Sequence, residues 1–169
     1  YTVNASVNYT VMLSDCNQSL NMENTTYVLN TSVNNTANCF SIMANNITLN
    51  CNGYTINYSS NGTSGYGVNV TGYNFTTIEN CVIKEGRSGT DAKHGIYLSY
   101  SNNASIENNT FIVIGRYSYG IYLNVGSAGS ILNNIIRTTG DYRAHGISLA
   151  SGVNSIIITN NLINTTGLG

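Results

Sequence analysis

The chain has 169 residues, a length that suits one domain able to bury a core without help from a metal or cofactor. Only 8% of its residues are charged, six Lys and Arg against seven Asp and Glu, so long-range attraction to nucleic acid or an anionic membrane is excluded as a driving force. No run of about 18 apolar residues occurs, so no membrane span is expected.

Solubility then falls to uncharged polar groups, and much of the Asn, Ser and Thr excess is organised as N-x-[ST] acceptors for N-linked glycans. They stand at Asn4, Asn8, Asn17, Asn24, Asn30, Asn34, Asn46, Asn57, Asn61, Asn69, Asn74, Asn103, Asn108 and Asn164. Thirteen are expected to carry glycans. Asn108 is set aside because its place in the repeat puts it in an inward-facing Asn column. A chain that opens on Tyr1 reads as a processed product with its export signal removed. The sequons and four cysteines without zinc-type spacing place it outside the cell or on its surface.

Residues 1 to 13 alternate apolar and polar without a break, from Tyr1, Val3 and Ala5 to Val11 and Leu13. A strand of that length spans about 43 Å, far more than one short rung. Residues 1–15 are therefore expected to form a long N-terminal strand, either packed along its own domain or donated to a neighbouring subunit, ahead of a repeat domain over 16–169.

Cys16 and Cys39 lie 23 residues apart, about one repeat, and Cys51 and Cys81 fall at neighbouring positions of a recurring turn. Pairing Cys16 with Cys39 and Cys51 with Cys81 is the best of the three connectivities.

From residue 49 onward two motifs recur in phase. One is Gly67-Val68-Asn69-Val70, Gly95-Ile96-Tyr97-Leu98, Gly120-Ile121-Tyr122-Leu123 and Gly146-Ile147-Ser148-Leu149. The other is Leu49-Asn50-Cys51, Ile78-Glu79-Asn80, Ile106-Glu107-Asn108, Ile131-Leu132-Asn133 and Ile158-Thr159-Asn160. Their common period is about 25 residues, with period-2 apolar stretches bounded by Gly, Asn and Ser, which is strand chemistry. Such a unit cannot close its own core, but units stacked about 4.8 Å apart bury a continuous apolar column, so the fold expected is all-β, a right-handed parallel β-helix of stacked coils. Cys51, Asn80, Asn108, Asn133 and Asn160 would form one corner column of stacked amides.

Asn46 to Ile56 (NITLNCNGYTI), Ile78 to Ile83 (IENCVI) and the recurrent GIYL resemble the NosD-like branch of right-handed parallel β-helix repeat proteins, over roughly residues 40 to 165. The resemblance implies the fold and leaves the function open, since the architecture serves lyases, glycosidases, adhesins and structural surface proteins alike.

Among candidate sites, Glu79 and Glu107 share a column on successive coils, a spacing that suits a retaining pair of carboxylates. No third acid or base joins them, the column continues as Leu132 and Thr159, and no catalytic, cofactor or metal site is expected. His94 and His145 precede repeat glycines in a column with Tyr66 and Tyr119, two coils apart, too far to share one metal ion. All six basic residues fall between the Asn turn and the [HY]-G-[IV] motif, together with Glu85, Asp91 and Asp141. No sequon occurs from Thr110 to Ile163. Arg87, Asp91, Arg116, Tyr117, Tyr119, Arg137, Asp141, Tyr142 and Arg143 are therefore the candidate interface.

The expected function is that of a non-enzymatic structural subunit of an extracellular glycosylated filament or coat, built from copies of itself stacked head to tail. A carbohydrate-binding or adhesive β-helix that engages surface polysaccharide is the second reading. A polysaccharide lyase or glycosidase centred on Glu79 and Glu107 is the third.

Overall fold

The computed structural model describes residues 8–87, 89 and 93–166, which form 19 strands and no helix. The strands make three sheets in which every pairing is parallel. The first sheet runs Tyr9–Leu13, Thr25–Leu29, Ile47–Asn50, Thr77–Glu79, Ser105–Glu107, Gly126–Leu132 and Val153–Thr159. In the second lie Gln18–Leu20, Phe40–Ile42, Gly65–Thr71, Lys93–Ser99, Tyr119–Asn124 and His145–Leu149. The third contains Val33–Asn34, Thr55–Tyr58, Val82–Glu85, Thr110–Val113, Ile135–Thr138 and Leu162–Thr165. Each circuit of the chain adds one rung to each sheet, which is the expected parallel β-helix.

Alternation along each short strand sends every second side chain inward, and the inward residues of successive rungs stack into columns. Leu49, Ile78, Ile106 and Ile131 form one such column, with Val68, Ile96 and Ile121 in a second and Ile56, Ile83, Phe111 and Ile136 in a third. All are at most 2% exposed. Full burial of each such side chain stabilises by about 1.5–3 kcal/mol, and that gain holds coils that have few local contacts of their own.

The repeat glycines have a steric cause. A Cβ on Gly67 would meet the carbonyl oxygen of Gly95 at 2.5 Å, one on Gly95 that of Gly120 at 2.6 Å, and one on Gly120 that of Gly146 at 2.6 Å. The same atoms would strike Ile83, Phe111 and Ile136 of the third sheet. Glycine lets these two sheets close on each other at every coil.

Two corners are built from asparagine. In the first, Asn80, Asn108, Asn133 and Asn160 all take left-handed backbone angles, φ +55° to +56°, which Asn tolerates better than other residues with a side chain. That turn aims the next residue inward. The stacked amides are therefore Asn109, Asn134 and Asn161, one position after the column expected from the sequence. Asn109 Oδ1 accepts from the Cys81 N–H (2.9 Å), Asn134 Oδ1 from the Asn109 N–H (3.0 Å) and Asn161 Oδ1 from the Asn134 N–H (2.9 Å). Each Nδ2 donates to a carbonyl farther back, that of Ile78, Ile106 or Ile131. Asn108 is exposed, so the reason for setting its sequon aside does not hold.

The second corner carries a ladder of opposite polarity that the sequence reading did not find. Asn45 Oδ1 accepts from the Asn74 N–H (2.9 Å), Asn74 Oδ1 from Asn102 (2.8 Å) and Asn102 Oδ1 from Ser127 (2.9 Å). Its signal was present as an Asn or Ser recurring four residues before the inward Leu or Ile of the first sheet, at Asn45, Asn74, Asn102 and Ser127.

Disulfides join Cys16 to Cys39 and Cys51 to Cys81, with Cα atoms 4.5 and 4.7 Å apart, as the spacing had suggested. At the amino-terminal end the structure departs from expectation. Tyr9–Leu13 is a five-residue strand paired in parallel with Thr25–Leu29, the first rung of the stack, and residues 14 and 15 lie beyond its end. Residues 9–13 thus belong to the coil stack and neither run along it nor leave it; residues 1–7 lie outside the described residues. The first circuits are short, 16 residues from Tyr9 to Thr25 and 22 from Thr25 to Ile47, against 25 to 29 later.

Candidate functional site

The outward face of the second sheet is aromatic. Tyr66, His94, Tyr119 and His145 stand in register on four successive rungs, as their shared place before the glycines predicts. Their rings stack at 5.6, 4.8 and 5.3 Å between centroids, with planes within 24°. Beside them runs a second file, Tyr97 and Tyr122, 5.6 Å apart, and Tyr97 lies 4.8 Å from Tyr66 in a near-parallel stack. Parallel rungs impose this spacing, because identical positions recur at the strand separation, close to the stacking distance of aromatic rings.

His94 is enclosed by this array, 5% exposed, with its Nδ1 accepting from the Tyr119 N–H at 3.3 Å. Burial disfavours the imidazolium and pulls the His94 pKa from 6.5 down to about 4, against a smaller opposing effect of its hydrogen bond to the Lys93 backbone. Burial also raises the Tyr66 phenol, with Tyr97 and Tyr122 acting in the same direction.

A second cluster sits on the loops between the third and second sheets. The Tyr117 N–H bonds to the Tyr142 carbonyl at 2.9 Å, stacking two loops, and their rings meet edge to face at 5.2 Å. Arg116 lies 5.8 Å from both ring centroids, and Arg143 lies 5.4 Å from that of Tyr142. Asp141 is exposed in the same loop.

The other candidate interface residues are dispersed. Tyr119 belongs to the aromatic ladder, Arg137 is exposed on the third sheet, Arg87 is exposed on an earlier coil, and Asp91 lies outside the described residues.

Two charges assigned to that face from sequence are not on it. Lys93 and Glu85 are fully buried and paired at 3.2 Å. Glu85 also accepts the N–H groups of Ile114 (2.9 Å) and Gly115 (2.8 Å), while Lys93 donates to the Arg87 carbonyl (3.0 Å). Nearby Tyr58 is buried, and burial with the Glu85 charge holds its phenol well above 10. The pair is locked by backbone groups and faces no solvent, which suits a structural clasp between coils.

Glu79 and Glu107 are in register on adjacent rungs, as expected. The Glu79 carboxylate accepts from Asn50 Nδ2 at 2.6 Å. A groove beside them is lined by Asn50, Asn52, Asn80, Cys81 and Asn108.

A family model described as right handed beta helix region matches residues 50–168. The chain belongs to the right-handed β-helix family. No significant match was found among curated proteins or among solved structures. Within this β-helix, the matched span begins at Asn50, at the end of the third rung of the first sheet, and covers the coils that carry the repeat glycines and the Asn109, Asn134 and Asn161 ladder.

The β-helix presents its sequon asparagines unevenly. Asn8, Asn17, Asn30, Asn34, Asn46, Asn61, Asn103, Asn108 and Asn164 are exposed, and Asn24, Asn57 and Asn69 are half-buried. Asn74 stands apart, because its Oδ1 accepts from both the N–H and the Nδ2 of Asn102 inside the second corner ladder. Asn4 lies outside the described residues. Among the described residues no helix is long and apolar enough to cross a membrane.

Among the described residues the last coil exposes its apolar columns. Leu123, Ile131 and Ile136, at most 7% exposed, are followed in register by Leu149, Ile158 and Ile163, which are 45%, 43% and 44% exposed. At the other end the first rung exposes Tyr9 and Met12, at 49% and 57%.

Proposed function

We propose that this β-helix is a non-enzymatic structural subunit of an extracellular, glycosylated filament or coat of the NosD-like type, assembled head to tail. The observation that carries the reading is the stack of parallel rungs in three sheets, a register that a second copy can continue. Among the described residues His145–Leu149, Val153–Thr159 and Leu162–Thr165 are the last rungs of their sheets, and three core columns surface together there as Leu149, Ile158 and Ile163. Unpaired parallel edges beside exposed apolar side chains favour addition of another coil. A contact between unlike ends of identical subunits repeats without closing, which gives a fibre. Two disulfides fit an oxidising compartment, and the many exposed sequons fit a surface where glycans replace charge as the source of solubility.

Electron microscopy and sedimentation of the native material test this. Fibres that Ile158→Lys with Ile163→Lys disperses into folded monomers support it. Discrete monomers in the unsubstituted protein refute it, as does finding further coils of the same polypeptide on that end.

The aromatic face favours a second reading, a β-helix that binds surface polysaccharide. Pyranose rings have an apolar C–H face that stacks on tyrosine, and the Tyr66, Tyr97 and Tyr122 rings supply such a surface. Glycan-array binding by monomers, abolished by Tyr97→Ser, distinguishes this reading from the first.

A further inference from the structure

One sequon opens directly onto the aromatic face. Asn69 points outward from Gly65–Thr71, and its partner on the next rung is Tyr97, followed in the same file by Tyr122; on the other side it is paired with Ser41. Of the sequon asparagines that lie within strands, Asn34 pairs with Asn57, Asn57 with Lys84 and Asn164 with Arg137. Asn69 alone among these has an aromatic ring in register.

Its amide is also prepared for attachment. The sequon threonine, Thr71, faces the same way two residues on and donates from Oγ1 to Asn69 Oδ1 at 3.2 Å. That bond engages Oδ1 and does not use Nδ2, the atom that carries the sugar. Asn57 is arranged differently, its Nδ2 being donated to Asn34 Oδ1 at 2.5 Å.

We propose that the Tyr66, Tyr97 and Tyr122 surface is a saccharide platform whose occupant is the N-linked glycan of Asn69 in the same chain. In-register neighbours place Cβ atoms about 5 Å apart, so the first pyranose ring of an Asn69 glycan reaches Tyr97 without any backbone movement. Its C–H face packs against the outward edges of the Tyr97 ring and of the Tyr66 ring, which is stacked on Tyr97 at 4.8 Å. The hydroxyl groups stay in water. The glycan then roofs the array that encloses His94 and withholds this face from other saccharides. The inference rests on the glycoprotein reading.

The test uses the protein from an N-glycosylating host, with glycopeptide mass spectrometry reporting occupancy at every sequon. Folding equilibrium constants are measured for the unsubstituted protein, Asn69→Gln, Tyr97→Ser and the double substitution. Losing the glycan is expected to lower the constant about threefold to tenfold when Tyr97 is present and less than twofold after Tyr97→Ser. The same cycle on protein from a non-glycosylating host should show no coupling. Because Tyr97→Ser can impair folding, nuclear Overhauser contacts between the first sugar and the Tyr97 or Tyr66 ring protons are sought in the unsubstituted protein, and their presence is the expected result. An occupied Asn69 with neither coupling nor such contacts overturns the proposal. A bare Asn69 overturns it too; glycans on the other sequons would then leave the glycoprotein reading standing, whereas bare sequons throughout would remove both.

Discussion

Asn133 and Asn134 are adjacent, chemically identical and held for different reasons, so substituting each in turn separates the two. Asn134 is 1% exposed, and its amide joins four hydrogen bonds, to the Ile106 carbonyl, to Asn161 Oδ1, and from the N–H and Nδ2 of Asn109. Asn134→Ala orphans the Asn109 N–H and the Ile106 carbonyl in the core; at about 1–3 kcal/mol for each buried group, the loss is about 4 kcal/mol. Asn133 is exposed and contributes a backbone at φ +55°. Asn133→Ala costs about 1 kcal/mol from the left-handed region, and Asn133→Gly costs close to nothing. Urea unfolding followed by circular dichroism, with unchanged m values, gives the differences directly. The amide ladder as described is refuted if Asn133→Ala destabilises as much as Asn134→Ala or more.

Lys93→Met should destabilise by about 3–5 kcal/mol by leaving Glu85 buried without its cation, and adding Glu85→Gln should recover part of the loss in the same urea assay. His94 has a folded pKa below its unfolded one, so its contribution to stability is complete above pH 6.5 and is lost as pH falls toward 4; the stability difference between the unsubstituted protein and His94→Phe should change by about 3 kcal/mol across that window. Gly120→Ala drives a methyl into the Gly146 carbonyl and the Ile136 side chain, and its thermal midpoint should fall by more than that of Gly72→Ala, where the added carbon meets nothing within 4 Å. Glycopeptide mass spectrometry should find Asn57 less occupied than Asn61 and Asn103, because the Nδ2 that would carry its sugar is half-buried and donated to Asn34 Oδ1.

The repeat was legible wherever a steric or packing demand recurs at every coil. Gly95 and Gly120 recur because nothing larger fits, and Ile96 and Ile121 because the core column needs them. The His94 and Tyr119 stack followed from period alone, since parallel rungs put equal positions over one another. The Asn ladder was placed one residue early, because the pattern shows that two asparagines recur but not which of them takes the left-handed turn that aims its successor inward. Lys93 and Glu85 were taken for surface charges because their pairing depends on the third dimension, where the Ile114 and Gly115 N–H groups of the next coil complete the shell of Glu85. The early rungs Gln18–Leu20 and Thr25–Leu29 fell inside the expected repeat domain but were not aligned to its motifs, because their coils are short and carry no repeat glycine.

Both disulfides lie at or before Cys81, so the covalent ties are confined to the earlier coils and the later ones are joined only by packing and hydrogen bonds. Each coil of a solenoid touches only its neighbours. Under tension the coils that follow Cys81 should therefore unwind first, one after another, and unwinding should halt where Cys51 is tied to Cys81. Residues 82–166 drawn out at about 3.4 Å each would release about 290 Å of slack before the remaining kernel bears load. A fibre of such units would yield gradually and then stiffen, with its limit of extension set by the position of one cysteine.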